Sequence, residues 1–281
     1  MPEGSVMEEK DLKPFYLCQE EKKRSRNLYE KVFSEDSVRF VDYYYTCKVK
    51  DNRILVLEQD GEIVSMLHRN PYTMIVNGYE VPADYIVAVA TREDCRHRGY
   101  MRSLLECALQ DMNAVGMPFA FLMPASESIY APFDFVWICP YTDLPPRVVR
   151  MDAEAQNRYL AARYQMFCKR DDRYMENLKA EQEAEAGEDV PEQMPPFMAR
   201  ITDVCQMLRM ANARQNQELY LRIHDSIIRE NDGWFRWNVL PDSSEAEKLP
   251  VCPENVDMEL TVGELASMIF GSFQICLSEV V

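Results

Sequence analysis

The chain has 281 residues, 47% hydrophobic and 28% charged, with 31 Lys and Arg against 47 Asp and Glu for a formal net charge of −16. That length allows one large or two medium domains, each with its own core, and the acidity argues against a nucleic-acid binder, because phosphate backbones select basic faces. No apolar run reaches membrane-span length, Met1–Lys10 carries no signal-peptide pattern, and nine scattered cysteines without a C-x-x-C pair fit a reduced cytoplasmic compartment with no metal site.

Residues 1–14 are polar and patternless. Gln19 to Phe33 is charged, with Leu28, Val32 and Phe33 at helical spacing, and Ser34-Glu35-Asp36-Ser37 offers caps for a second helix ending near Lys48. Phe40, Tyr43, Tyr44 and Cys47 of that helix face either a core or a substrate cleft. Ile54–Glu58 and Glu62–Leu67 around Gln59-Asp60-Gly61 predict a hairpin. Pro71–Val76 and Tyr79–Val81 flank Asn77-Gly78, the pair best suited to a tight primed turn, in which both central residues need positive φ. Ile86–Thr91 is nearly all apolar, which predicts a strand covered on both faces.

Next comes Arg96-His97-Arg98-Gly99-Tyr100-Met101, and then Met101, Leu104, Leu105, Ala108, Leu109 and Met112 recur at the spacing of one buried helix face. The basic turn therefore sits at a helix N-terminus. First-turn amides lack internal partners and carry partial positive charge, a glycine lets backbone approach a ligand closely, and Arg96, Arg98 and Arg102 add full charges. These features suit a pyrophosphate; the plain alternative is a strand-to-helix connection with solvated arginines. Gly116 ends the helix and Pro118–Pro124 reads as a second buried strand, giving a parallel βαβ unit.

Tyr141–Arg150, with Pro140, Pro145 and Pro146, reads as a linker. Asp152–Ala186 is helical in propensity with Tyr159, Tyr164, Phe167 and Tyr174 as its buried positions, and the acidic run Glu176–Glu192 reads as a solvated face. Beyond Val190-Pro191 and Met194-Pro195-Pro196, Phe197–Val204 predicts a strand leading to a helix at Val204–Met210. Tyr220–Asp225, Gly233–Val239 and Asp257–Thr261 predict strands, and Val262–Phe270 a helix stopped by Gly271.

Arg96-His97-Arg98-Gly99-Tyr100-Met101 after a Val/Ala strand resembles the acetyl-CoA loop (R/Q-x-x-G-x-G/A) of the GNAT N-acetyltransferases, with Met101 in place of the last small residue, as in the Eis-like branch. Ser126-Glu127-Ser128-Ile129-Tyr130-Ala131-Pro132-Phe133-Asp134-Phe135 is similar to that branch's S-E-x-x-I-Y-x-x-F-G-Y segment, one residue shorter and with Asp134 for glycine. The order of elements after Phe197 resembles the sterol-carrier-protein-like domain that closes Eis-like chains. The resemblance implies an α+β chain: a GNAT fold with a mixed twisted sheet over 1–145, a short helical connector over 146–196 replacing a second GNAT-like sheet, and a sterol-carrier-like domain over 197–281.

It further implies acetyl-CoA as cosubstrate, held by backbone groups of Val89, Ala90 and Thr91, by Arg96, His97, Arg98, Gly99, Tyr100, Met101 and Arg102, and by Ser126. Tyr130 matches the residue that protonates the departing CoA thiolate, a task suited to a phenol with a pKa near 10. The base implied is the terminal carboxylate of Val281, with Glu279 or Glu127 as substitutes. The acceptor expected is a primary amine, polyamine-, aminoglycoside- or lysine-like, and the assembly a homo-oligomer. A non-catalytic acyl-CoA or lipid sensor is the alternative, since the last domain either binds a lipid or serves as closed structural support. His68 and His224 are expected to be structural or surface residues.

Overall fold

The computed structural model describes residues 12–187, 194–213, 215–241 and 243–280. After a short strand β1 (Phe15–Tyr16) come helices α1 (Arg26–Val32) and α2 (Val38–Thr46). Ser37 caps α2 by accepting from the Phe40 amide at 3.2 Å, satisfying one of the donors a helix start leaves open. Strands β2 (Arg53–Gln59), β3 (Glu62–Val76) and β4 (Tyr79–Thr91) form a meander. Asn77 and Gly78 between β3 and β4 have φ of 47° and 84°, the primed turn their sequence predicts.

The two predicted hairpins share one long strand, because β3 runs unbroken through Pro71. On one edge of β3, β2 pairs up to Arg69 and the later strand β7 begins at Met74, so Pro71 falls in the gap where an amide has no partner to lose. Helix α3 (Tyr100–Ala114), strand β5 (Phe119–Leu122), helix α4 (Glu127–Tyr130), strand β6 (Val136–Cys139) and helix α5 (Pro146–Val149) follow.

The segment 146–187 is not purely helical. Between α6 (Ala153–Ala161) and α7 (Asp172–Glu185) lies β7 (Met166–Cys168), antiparallel to the end of β3; Phe167, expected on a helix, is buried in this strand. Strand β8 (Phe197–Ile201), which the sequence reading groups with the last domain, pairs with both β5 and β6 in the first sheet. All five of its residues are buried, so both faces and both edges need cover, and an interior place in the large sheet supplies it.

The first sheet has the order β1-β2-β3-β4-β5-β8-β6. Alternation divides its side chains between two cores. Leu55 and Leu57 face α3, whose Leu104, Leu105, Ala108, Leu109 and Met112 are fully buried, while Ile54 and Val56 pack with Leu28, Val41 and Tyr44 of α1 and α2.

After α8 (Val204–Met210), strands β9 (Gln217–His224), β10 (Gly233–Val239), β11 (Glu245–Leu249) and β12 (Met258–Thr261) form a second sheet in the order β11-β10-β9-β12. The last helix, α9 (Val262–Phe270), opens with a reciprocal cap between Thr261 and Glu264, and β13 (Ile275–Cys276) returns to the first sheet beside β7. Phe270 of α9 meets Phe119 of β5 edge-on at 5.5 Å. Arg200 of β8 donates at 2.7 Å to Asp225 just beyond β9, a fully buried ion pair, and one apolar core runs through both sheets.

Candidate active site

The parallel pair β4–β5 is in register only at Asp84↔Ala120 and Tyr85↔Phe121, whose rings stack at 4.9 Å. Beyond that point the strands part. From His68↔Val87 to Met66↔Ala90, β3 advances two residues while β4 advances three, so β4 carries a bulge, with Ala88 at φ 50°. A bulge bends its strand, and here it turns β4 away from β5 and leaves Val87, Ala88 and Val89 half-exposed in mid-sheet. Charges pin the base of the fork. Buried Asp84 accepts from Arg69 Nε at 2.7 Å and from Arg53 at 2.9 Å; Arg69 also donates to Tyr16 Oη at 2.6 Å, and Tyr16 donates to Asp111 of α3 at 2.7 Å. Arg69 and Asp84 can leave water because they pair with each other, while Arg53 and Asp111 stay in contact with it.

Above the open end lies the basic turn. His97 and Gly99 have φ of 63° and 77°, which swings the chain into α3 with Gly99 as N-cap. Among the described residues no acceptor is bonded to the amides from His97 to Arg102. A Cβ at Gly99 would meet nothing within 4 Å, so the chain is uncrowded at this turn. Arg96, Arg98 and Arg102 are exposed; Arg98 donates to the Asp94 carbonyl at 2.9 Å, and Arg102 pairs with Glu106 at 3.0 Å while lying over the Phe133 ring. Arg96 reaches the Thr91 carbonyl at 3.4 Å, and the Thr91 hydroxyl meets Ser65 at 2.8 Å. Tyr100 and Met101 turn inward onto the core, and exposed Ser126 bonds Ser128 at 2.9 Å.

Tyr130 ends α4, its ring edge-on to Phe135 at 5.9 Å. Its hydroxyl has no hydrogen-bond partner among the described residues, and burial pushes its pKa up to about 12, so it is a phenol at neutral pH with a proton to give. Asp134, where the resembled segment has glycine, adopts φ 59°, a left-handed conformation that Asp tolerates better than most residues.

On the α2 face of the sheet, a cavity of about 380 Å³ is lined by Asn70 and Tyr72 of β3, by Tyr141, by Tyr174 and Glu181 of α7, and by Val280. Lys48 forms part of its wall, donating to Tyr72 Oη at 3.0 Å, and burial lowers its pKa. Tyr85, at the base of the fork, donates to the Val280 carbonyl at 3.0 Å.

Glu279 is surrounded by donors. Burial would raise its pKa, but the Arg170 guanidinium, 2.6 Å away, together with the Ser278 amide and Tyr174 hydroxyl, outweighs burial and holds it below the usual carboxylate range. Glu127 is exposed, and Val281 lies outside the described residues. His224 is an exposed histidine bonded to Glu259 at 2.7 Å, and His68 is fully buried. The cavity residues Lys48, Asn70, Tyr72 and Glu181 were not singled out by sequence; their one signal is the polar run His68-Arg69-Asn70 within an otherwise apolar strand.

A family model for an acetyltransferase (GNAT) domain matches residues 16–138, and one for a sterol carrier protein domain matches residues 204–276. The chain joins a GNAT acetyltransferase domain to a sterol carrier protein domain. It is an acyltransferase by the first of these. Curated protein sequences give no match. Among solved structures, a probable N-acyltransferase from Enterococcus faecalis V583 is similar at 13% identity and a TM-score of 0.66, covering 92% of this chain and 90% of that one. A GCN5-related N-acetyltransferase from Kribbella flavida has 14% identity and a TM-score of 0.66, covering 93% and 89%. Eis1 from Mycobacterium abscessus has 14% identity and a TM-score of 0.60, covering 92% and 89%. At these identities the likeness is one of fold: the fork and basic turn lie within the GNAT domain, whereas the cavity is walled partly by α7 and by the residues that follow α9. Among the described residues no helix is long and apolar enough to cross a membrane.

Proposed function

We propose that the protein transfers an acetyl group from acetyl-CoA directly to a primary amine within a ternary complex. The observation that carries this reading is the run of unbonded amides around Gly99 at the open end of the β4–β5 fork. The amides and the arginines 96, 98 and 102 hold the diphosphate, and the stretch Val87 to Val89, half-exposed where β4 leaves β5, offers an edge to the pantetheine arm. The fit is chemical: donors without acceptors, positive charge, and an uncrowded chain at Gly99.

The acceptor enters from the other face, through the cavity between β3, α7 and the chain after α9. Its walls carry Asp51, Asp171, Glu181 and Glu185 alongside Lys48, Lys169 and Arg173, and the carboxylates offer partners for a cationic amine, of polyamine or aminoglycoside type or a lysine side chain. The amine attacks the thioester carbonyl, the C–S bond breaks, and Tyr130 gives its proton to the departing sulfur. The proton the amine sheds on attack offsets the one Tyr130 gives up.

Thioester turnover with a panel of polyamines and aminoglycosides tests the reading. Tyr130→Phe should lower kcat by about 10²-fold, the low end for loss of a general acid, and leave CoA affinity within twofold. Equal loss of both would make Tyr130 a packing residue, and CoA binding without turnover of any amine would favour the sensor.

A further inference from the structure

After α9 the chain is fastened across the first sheet like a strap. Ile275 and Cys276 pair with Met166 and Phe167, the Leu277 carbonyl accepts from the Thr142 amide at 2.8 Å, and the Val280 carbonyl accepts from Tyr85 at 3.0 Å. Between these ties a single buried cation grips the side chains. Arg170, 2% exposed, donates from Nη1 to Glu279 Oε1 at 2.6 Å and from Nη2 to Ser278 Oγ at 2.8 Å. Its guanidinium lies 4.1 Å over the ring of Tyr174, whose hydroxyl donates to the same Glu279 oxygen at 2.8 Å.

The position of this clamp is informative. Ser278, Glu279 and Val280 form one wall of the cavity; Tyr174, Asn177 and Glu181 of α7 form another, and Arg170 stands where the two meet. A buried ion pair contributes little net stability, because apolar side chains of similar volume would do as well, but it imposes one geometry. Direction is what a cavity wall made of an irregular strap lacks on its own.

We propose that Arg170 is a positioning residue for the acceptor amine: it docks Ser278–Val280 against α7, and the acceptor cavity keeps its shape only while that clamp is closed. The acceptor part rests on the acyl-transfer reading above; the docking part does not. The diphosphate turn, on the other face of the sheet, is outside its reach.

The test uses the full chain with Arg170→Met, Arg170→Lys and Glu279→Gln. Three quantities are read: amide hydrogen exchange in a peptide covering 275–280, CoA affinity by calorimetry, and steady-state acetyl transfer to spermidine. In Arg170→Met, strap exchange should quicken at least tenfold and KM for spermidine rise at least tenfold, with a smaller change in kcat and CoA Kd within twofold. Arg170→Lys should recover part of the KM, since it keeps the charge and one of the two bonds. If Arg170→Met does not fold, Glu279→Gln should shift exchange and KM the same way by a smaller factor. Unchanged strap exchange, or KM and CoA Kd rising together, would overturn the proposal. A wild type that turns over no amine would overturn the acceptor role along with the acyl-transfer reading, while exchange still decides whether Arg170 docks the strap.

Discussion

His68 stands in the core beneath α2, where its Nδ1 meets Tyr44 Oη at 2.8 Å and its ring stacks on Tyr44 at 5.8 Å. Asn52 donates to the same hydroxyl at 3.0 Å, and burial keeps the histidine neutral. Burial, reinforced by Lys22, lowers its pKa from 6.5 to about 3. The unfolded chain therefore binds a proton between pH 6.5 and about 3 that the folded chain refuses. The stability this provides is complete above pH 6.5 and lost as pH falls toward 3, with an upper limit on the order of 4–5 kcal/mol by linkage. In thermal unfolding followed from pH 7 to 4, His68→Gln should show a flatter decline of Tm than the wild type; parallel profiles would mean that other groups set the acid limit. At the same scale, Tyr130 and Glu279 show how surroundings assign roles. One is a buried hydroxyl with no acceptor among the described residues, and the other a carboxylate surrounded by donors that keep it ionised and occupied.

Elements differ in how plainly their residues announce them. Helix α3, the Asn77-Gly78 turn and helix α9 follow from periodicity, turn chemistry and caps, because local rules suffice there. The basic turn at Gly99 is legible for the same reason. The fork is not: its bulge places an alanine, Ala88, at φ 50°, and nothing in the letters Val87-Ala88-Val89 asks for it. Strand β11 is hidden by charge, Glu245-Ala246-Glu247-Lys248-Leu249, which suits the outer edge of the second sheet and mimics a loop. Strand β8 is legible as a strand but not as a member of the first sheet, since sheet membership is decided by contacts far away in the chain.

Those contacts have a measurable weight at Arg200. It donates to the Phe133 and Ile201 carbonyls at 2.7 and 2.8 Å and to Asp225 at 2.7 Å, joining the loop after Tyr130, the first sheet and the second sheet. Arg200→Met would leave Asp225 buried without its cation. The expected loss is about 3–5 kcal/mol, seen as a lower midpoint in denaturant unfolding. A shift under 1 kcal/mol would show that Asp225 is satisfied by Asn231 and its neighbouring amides alone.

For the whole molecule, what matters is that two sheets share one core while the sheet of the GNAT domain presents different chemistry on its two faces. One side offers amides and arginines beside an open fork; the other offers a cavity bounded by carboxylates, tyrosines and the strap after α9. In the proposed reaction donor and acceptor meet at the fork from opposite sides, and the net charge of −16 favours cationic acceptors over anionic ones. The cavity proposed for the acceptor was the least legible part of the sequence because its walls come from β3, α7 and 278–280, brought together only by the fold. The measurement that bears most directly on this account is calorimetric titration of CoA into the wild type and Gly99→Glu, which sets a negative charge and a side chain at the turn proposed to hold the diphosphate. The account predicts saturable binding to the wild type and at least a tenfold weaker Kd in a folded Gly99→Glu. No saturable heat with the wild type, or equal affinity in both proteins, would contradict it.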